Sequence, residues 1–205
     1  MRLIMKILIA VGILISTCSA AADSPNSFVN EAAGLRLEKP NDWVYVTAAQ
    51  NLDNIKAIKL DDAEFHAAMQ KYITAPLVAI MKYEEPYEDV NPSFKVNLKP
   101  YGLMKGKTPV ELVEFLIPQI GNVFKDFTVD QVPVAVTVSG IESAYARVTY
   151  SMETPDGRTF PTTSELWIVP HGDYFFMIGA GTRQDEKTGS REEIQGILGT
   201  LKIKP

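Results

Sequence analysis

The sequence predicts an α/β (α+β) domain in which an antiparallel sheet carries helices on both faces, an α/β/α sandwich. Short stretches of alternating apolar and polar residues, separated by Gly, Pro, Asn and Asp, are typical of strands joined by tight turns. Three other segments have the three-to-four-residue apolar spacing of amphipathic helices. The strands "LVAIM" and "YFFMI" are apolar on both sides, which favours helical cover on both faces of the sheet.

The first half of the chain supplies a strand pair, a helix and a third strand. Residues 34–47 alternate around the turn "KPND" and predict two short strands. A helix is predicted over 60–72, where Asp61 can cap the first turn and Glu64 lies at capping-box distance. Residues 76–83 have the apolar composition of a buried strand.

The middle of the chain supplies another strand and a second helix. Residues 93–100 alternate, so we expect an apolar face opposite a polar face that includes Lys95. The helix is predicted over 108–124, with Thr108 as the N-cap and Glu111 completing a capping box. Pro118 is expected to kink or end the second helix, because proline lacks an N–H and crowds the preceding turn.

The rest of the chain supplies further strands and a third helix. Residues 127–140 begin a run of strands that ends in "YFFMIGAG". The last helix is predicted to start at Ser190, with Glu193 at capping-box spacing.

Residues 1–22 have the order of a signal peptide: a basic start, an apolar run too short to span a bilayer, and small residues before a cleavage site. One alternative is a lipoprotein anchor on Cys18, the only cysteine in the sequence. Another is that the segment stays uncleaved and anchors the protein itself. All three forms place the domain outside the cytoplasm. We therefore expect a signal peptide over 1–22, a short linker over 23–32 and one domain over 33–205.

The charge balance excludes some classes of partner. The net charge of the 205-residue chain is −5 and no basic cluster is present, so nucleic acid has no electrostatic footprint here. Charge alone would not hold the protein on an anionic membrane, and membrane attachment would need a lipid on Cys18. With one cysteine, the chain cannot form an internal disulfide.

The stretch "PHGD" is the best sequence candidate for chemistry, because it holds His171 and Asp173 between two apolar runs. A zinc site needs three or four converging ligands, and the only other histidine is His66, one helical turn after Asp62. Pro and Gly in so short an insert favour a hairpin turn instead. The Asp62 and His66 pair is likewise explained as an exposed pair on a helix.

Known catalytic motifs are missing from the sequence. It contains no G-x-S-x-G elbow, no P-loop and no Rossmann fingerprint. We therefore predict no catalytic, cofactor-binding or metal-ligating residues, and no cofactor. Four strand aromatics could line a ligand pocket, but we assign them to the core: Tyr145, Trp167, Tyr174 and Phe176.

The loop over residues 84–92, "EEPYEDVNP", is strongly acidic. Its acids are Glu84, Glu85, Glu88 and Asp89. Repulsion between the acids and two prolines argue against regular structure, so we expect an exposed and mobile loop. Exposed Tyr87 makes the loop our hypothesis for a surface that contacts a partner, or weakly a cation. The alternative is that Tyr87 packs on the sheet and the acids only aid solubility.

Several stretches resemble one known group of domains. These are "GLRLEKPNDW", "NPSFKVNLKP", "TPVELVEFL", and "YFFMIGAG" ahead of "REEIQGILGTLKI". In this order they resemble PsbP-like domains and the DcrB-like bacterial envelope lipoproteins, over roughly residues 33–203. The resemblance implies an α/β/α sandwich that serves as an assembly or binding module, and it supplies no catalytic motif.

The expected function is therefore that of an exported, non-catalytic binding or assembly module of the bacterial cell envelope, located in the periplasm, with an unknown envelope component as partner. The alternative is a small envelope hydrolase or metal-dependent enzyme that uses His66 or His171. A shared pocket between either histidine and acids or a serine would favour the enzyme.

Overall fold

The computed structural model describes residues 24–47, 49–50, 75–154, 156–185, 187 and 189–204. The predicted signal peptide, Cys18 and the predicted helix over 60–72, with Asp62 and His66, lie outside the described residues.

The described part of the chain consists mainly of strands. In chain order its elements are β1 (Ser27–Asn30), β2 (Leu35–Glu38), β3 (Val44–Tyr45), β4 (Val78–Met81), β5 (Ser93–Pro100), a 3₁₀ turn (Gly102–Met104), α1 (Pro109–Gly121), β6 (Lys125–Val138), β7 (Ile141–Glu153), β8 (Thr159–His171), β9 (Tyr174–Arg183), α2 (Ser190–Thr200) and β10 (Lys202–Ile203). Neither α-helix of this part is long and apolar enough to cross a bilayer.

Seven strands form one antiparallel sheet in the order β3-β4-β5-β9-β8-β7-β6. Strands β6 and β7 are joined by a two-residue turn in which Ser139 and Gly140 have φ angles of 52° and 79°. Positive φ at both positions is the requirement of a type I′ hairpin, whose twist matches that of the strands. Pro133 is tolerated in β6 because this strand lies at the edge of the sheet.

The two helices cover opposite faces of this sheet, which confirms the predicted sandwich. Leu112 and Ile117 of α1 pack in one core cluster with Ile168 of β8. Ile194 of α2 packs in the other cluster with Trp167 of β8. Successive strand residues point to opposite faces, so neighbouring positions on β8 serve the two cores.

A second sheet of three strands, in the order β1-β2-β10, was not predicted from the sequence. Strand β1 lies within the segment 23–32 that the sequence analysis treats as a linker, and it pairs antiparallel with β2. The two strands predicted over 34–47 both form, but β2 and β3 belong to different sheets. Apolar alternation locates a strand without naming its neighbour, which long-range packing decides.

The local signals place the starts of both helices correctly, since α2 begins at Ser190 as predicted, but the capping box forms only in α1. Thr108 and Glu111 form the predicted capping box, with N–H to side-chain oxygen distances of 2.7 and 3.2 Å. Pro118 does not end α1, which continues to Gly121. Only one late backbone hydrogen bond is lost to the proline there.

At the start of α2 the expected capping box does not form. The N-cap is Gly189, with a φ of 76° and no side-chain capping bond. The Ser190 hydroxyl and the Glu193 carboxylate instead accept hydrogen bonds from Lys82 Nζ, at 3.2 and 2.8 Å. Glu193 also accepts from the indole N–H of buried Trp43 at 3.2 Å. A lysine that directly follows β4 therefore binds both groups that the capping box would have used.

Candidate functional site

A cavity of about 450 Å³ lies on the face of the main sheet that carries α1. The helix packs over β6, β7 and β8, and in the described part of the chain it leaves the β4, β5 and β9 portion of this face uncovered. The end of α1 and the loop 84–92 form walls around that portion. The volume falls in the range of about 300–1,000 Å³ that is usual for small-molecule pockets.

Small residues on β9 create the space in the floor of the cavity. Gly179 and Gly181 pair with Lys95 and Ser93 of β5. A Cβ atom built on Gly179 would have no other atom within 4 Å, so this position opens into empty volume. At these two positions β9 therefore has no side chain that could fill the cavity.

The surface of the cavity is mostly apolar, although its lining also includes many polar side chains. The apolar side chains are Met81, Val90, Ile120, Met152, Leu166, Met177 and Ala180. Three of them are methionines on different strands, and the unbranched, flexible methionine side chain adapts to different ligand shapes.

Lys95 is the cationic group of the cavity. Its side chain is half-buried, and no hydrogen-bond or ion-pair partner for its ammonium exists among the described residues. Burial lowers the pKa of Lys95, and the nearby charge of Glu85 offsets only part of this effect. A buried charge normally has a partner, since removing it from water is costly. The cavity therefore offers one incompletely satisfied positive charge.

The loop 84–92 forms the outer wall and is held by its own side chains. Asn91 donates through Nδ2 to the Tyr83 carbonyl and to Glu85 Oε1, both at 2.9 Å. The Oδ1 atom of Asn91 accepts from the Tyr83 N–H at 3.1 Å. Glu85 also accepts from the Tyr87 N–H at 2.8 Å. These bonds close the loop on itself at its base.

Two arginines also hold the loop, one from β9 and one from the turn that precedes β8. Arg183 of β9 binds both carboxylate oxygens of Asp89 at 2.8 and 3.1 Å and binds Asp185 at 2.7 Å. Hydrogen bonds with Asp185 and Asp89 raise the pKa of Arg183. Arg158 donates to the Glu88 carbonyl at 3.0 Å. The loop is thus tied to the sheet, which argues against the mobility expected from its charge.

The other expectations for the loop are partly met. It forms neither helix nor strand, and none of its four acids is buried. Tyr87 remains 38% exposed, yet its ring stacks on Tyr83 with centroids 4.6 Å apart. The loop is therefore an exposed wall of fixed shape, and its role as a partner surface stays a prediction.

The hydroxyl groups of Tyr150 and Ser164 also line the cavity. Tyr150 and Ser164 lie 2.9 Å apart through their oxygens. Burial raises the pKa of Tyr150, and its hydrogen bond with Ser164 opposes this only in part. The phenol is therefore a neutral hydrogen-bonding group, and the ring is fixed by stacking on Phe124 at 4.1 Å.

The predicted turn at "PHGD" is confirmed. His171 ends β8 and pairs with Tyr174 of β9 across Gly172 and Asp173, and Gly172 has a φ of 58°. The His171 ring packs on Phe176 at 5.1 Å, while exposed Asp173 pairs with Lys105 at 3.0 Å. Nowhere in the described residues do three or more His, Cys, Asp or Glu groups gather as metal ligands would.

The four strand aromatics do not all belong to the core. Trp167 and Phe176 are buried, and half-buried Tyr145 packs on Trp167 with centroids 5.1 Å apart. Tyr174 is 47% exposed, which corrects its assignment to the core. It starts β9 beside the turn, where helical cover has ended.

A second cleft, of about 490 Å³, is polar and lies near the start of α2. Its arginines already have partners: Arg147 with Asp130 at 3.7 Å, Arg183 with Asp89 and Asp185, and Arg191 with Glu165 at 2.7 Å. Because these charges are compensated within the protein, the cleft has the character of a structural ion-pair network.

Sequence reasoning missed Lys95 as a site residue. The alternating pattern over 93–100 placed it on a polar face, and a polar face of a strand is normally read as solvent-exposed. The glycines at alternate positions of "MIGAG" were the available signal. Glycine inside a strand often marks a close approach or a gap that a ligand fills.

No protein-family model matches this sequence, and no curated protein matches it. Among solved structures, the chain is similar to LpqN of Mycobacterium tuberculosis, described as involved in cell envelope biogenesis, with 15% identity, a TM-score of 0.51 and coverage of 83% of each chain. It is also similar to cyanobacterial PsbP (CyanoP) of Synechocystis, with 12% identity, a TM-score of 0.49 and coverage of 94% of this chain and 100% of that one.

A third similar structure is the Ran-binding protein Mog1p of Saccharomyces cerevisiae, with 11% identity, a TM-score of 0.47 and coverage of 86% of this chain and 94% of that one. The similarity to LpqN, at an identity of 15%, concerns the fold. At that level the match agrees with the predicted resemblance in fold, and the sheet topology confirms the α+β fold class.

Proposed function

We propose that the protein is an exported, non-catalytic binding module of the bacterial cell envelope, and that it holds a small ligand in the cavity beside the loop 84–92. The observation that carries this proposal is Lys95, an ammonium that has no partner among the described residues and lies in the floor of a mostly apolar cavity. Ligand sites combine apolar walls with a few convergent polar groups, and this cavity has that composition.

Export to the periplasm rests on two supports. Residues 1–22 have the charged, apolar and small-residue order of a signal peptide. A structure of similar fold, LpqN, is described as involved in cell envelope biogenesis. Whether Cys18 carries a lipid is decided by the intact mass of the protein recovered from envelope fractions.

A binding role is favoured over catalysis by the groups in the cavity. Among the described residues its lining includes no histidine, and its three carboxylates are already bound: Glu85 by Asn91, Asp89 by Arg183 and Glu165 by Arg191. His171 lies at the far end of β8, at the hairpin turn. The hydrolase alternative therefore rests on His66 alone.

The proposal is tested by filling the cavity. The protein and a Gly179→Leu variant are purified from envelope fractions and compared by native mass spectrometry. We expect wild-type protein to carry a bound small molecule and the variant to lack it, because the new side chain occupies open volume. Gly196→Ala, on the exposed side of α2, is the matched control. An adduct that persists in Gly179→Leu would overturn the proposal.

A further inference from the structure

The charge of the cavity limits its ligand to a narrow class. Within the described part of the chain, Lys95 is the one cation that lines the cavity, and its ammonium has no hydrogen-bond or ion-pair partner there. Glu85 and Asp89 also line the cavity, but their carboxylates are bound by Asn91 and Arg183. The acids remain close enough for Glu85 to act on Lys95. A ligand with one negative charge would form an ion pair with Lys95. A second negative charge on the ligand would be repelled by the nearby carboxylates, with no further cation of the lining to pair with it.

The shape and lining of the cavity specify the rest of the ligand. Beside Gly179 the cavity is lined by two uncharged side chains: Leu166, which pairs with Gly179, and Met177, two residues earlier on β9. A volume of about 450 Å³ suits a small molecule rather than a folded segment. Gly179 pairs with Lys95 and leaves empty space above β9. A ligand can therefore lie along β9 with its anionic end at the lysine.

Building on the proposed binding function, we propose that the cavity binds an amphipathic monocarboxylate, with its carboxylate on the Lys95 ammonium and its apolar body against Leu166 and Met177. The carboxylate accepts charge-assisted hydrogen bonds from Nζ. Tyr150 and Ser164 line the same cavity and offer neutral hydrogen-bonding groups beside the path of the ligand.

The test is isothermal titration calorimetry of the full-length protein with four probes: octanoate, octanol, butyrate and octyl phosphate. Octanoate should bind about tenfold or more tightly than octanol, which lacks the charge, because a hydrogen bond to an ionised group gives a gain of that order. It should also bind more tightly than butyrate, which lacks the apolar length. Octyl phosphate should bind more weakly, because its second charge faces Glu85 and Asp89.

Two variants assign the charge selectivity to Lys95. Lys95→Met should lower octanoate affinity about tenfold or more and abolish the preference over octanol. Lys105→Met, an equal change at an exposed lysine paired with Asp173, should leave both affinities unchanged. Circular dichroism and the melting curve establish that each variant is folded.

The failures of the two proposals are distinguishable. Equal binding of octanol and octanoate, or undiminished octanoate binding by folded Lys95→Met, overturns the monocarboxylate proposal. Loss of that same binding in Gly179→Leu would then still support a ligand cavity. Preference for octyl phosphate overturns the monocarboxylate in favour of a phosphate-bearing ligand. Absence of any octanoate binding to wild-type protein also overturns the inference.

Discussion

The base of the loop 84–92 depends on one side chain, so Asn91→Ala should release the outer wall of the cavity. Asn91 makes two hydrogen bonds with the backbone of Tyr83 and one with the carboxylate of Glu85. A neutral hydrogen bond contributes about 1 kcal/mol net, and one to a charged group about 1.5–3 kcal/mol. Their sum, about 4 kcal/mol, is an upper limit because the site is only half-buried and water replaces part of it.

We expect the free energy of local loop opening to fall by about 2 kcal/mol, which corresponds to roughly 30-fold faster amide exchange. The reporter is the Tyr87 amide, which keeps its own acceptor, Glu85 Oε2, in the variant. Hydrogen exchange followed by NMR measures it. Asn97→Ala is the matched control, because Asn97 lines the same cavity without a side-chain hydrogen bond in the described part of the chain.

Two outcomes would refute this reasoning. If the Tyr87 amide of wild-type protein exchanges at the rate of an unstructured peptide, the bonds of Asn91 and Arg183 do not hold the loop, and the mobile loop expected from its acidic sequence is correct. If Asn91→Ala and Asn97→Ala change the exchange of Tyr87 equally, the loop is held by Arg183 and Arg158 instead.

Three further predictions concern stability. His171→Ala with Asp173→Ala should change the unfolding free energy by about 0.5 kcal/mol or less, because both lie at a hairpin turn; a larger loss in urea denaturation contradicts this. Arg191→Met should cost about 2 kcal/mol, less than the 3–5 kcal/mol of a fully buried pair, because Glu165 is 4% exposed but Arg191 is 42% exposed. Adding Glu165→Gln should restore part of it, and no recovery would mean that the arginine acts by packing. The pKa of Lys95 is lowered in the folded protein, so between that lowered pKa and 10.5 the unfolded chain binds more protons than the folded one. In this pH range the unfolding free energy of the wild type, relative to that of Lys95→Met, should therefore rise with pH. A difference that does not change with pH argues against a desolvated lysine.

Helix starts show how far local sequence signals reach in this fold. Thr108 and Glu111 form the predicted capping box because both partners lie within one turn, and Glu111 keeps it while also pairing with Lys107 at 3.7 Å. Ser190 and Glu193 have the same spacing, but Lys82, which directly follows β4, reaches both side chains. A contact between residues so far apart in the chain has no local signature, so the sequence could not reveal it.

The cavity escaped prediction for a related reason. The alternation over 93–100 is correct, and Lys95 does lie on the opposite face from Phe94. What the pattern cannot show is that α1 covers only part of that face. A polar residue on the uncovered portion then borders a cavity instead of open solvent. The fold class follows from periodicity alone, whereas the site depends on where one helix stops.

Two features of the cavity each work against stability, and together they argue for a ligand site. A glycine inside a strand costs about 0.5–1 kcal/mol relative to alanine, and Gly179 makes no close contact that would require it. On the adjacent strand, the partly desolvated ammonium of Lys95, which has no partner in the segments that the structure describes, adds a further cost. A well-packed sheet face would need neither residue. Their pairing across β5 and β9 creates space and charge at one point, and a bound anion offsets both costs at once, by filling the space over Gly179 and by neutralising Lys95.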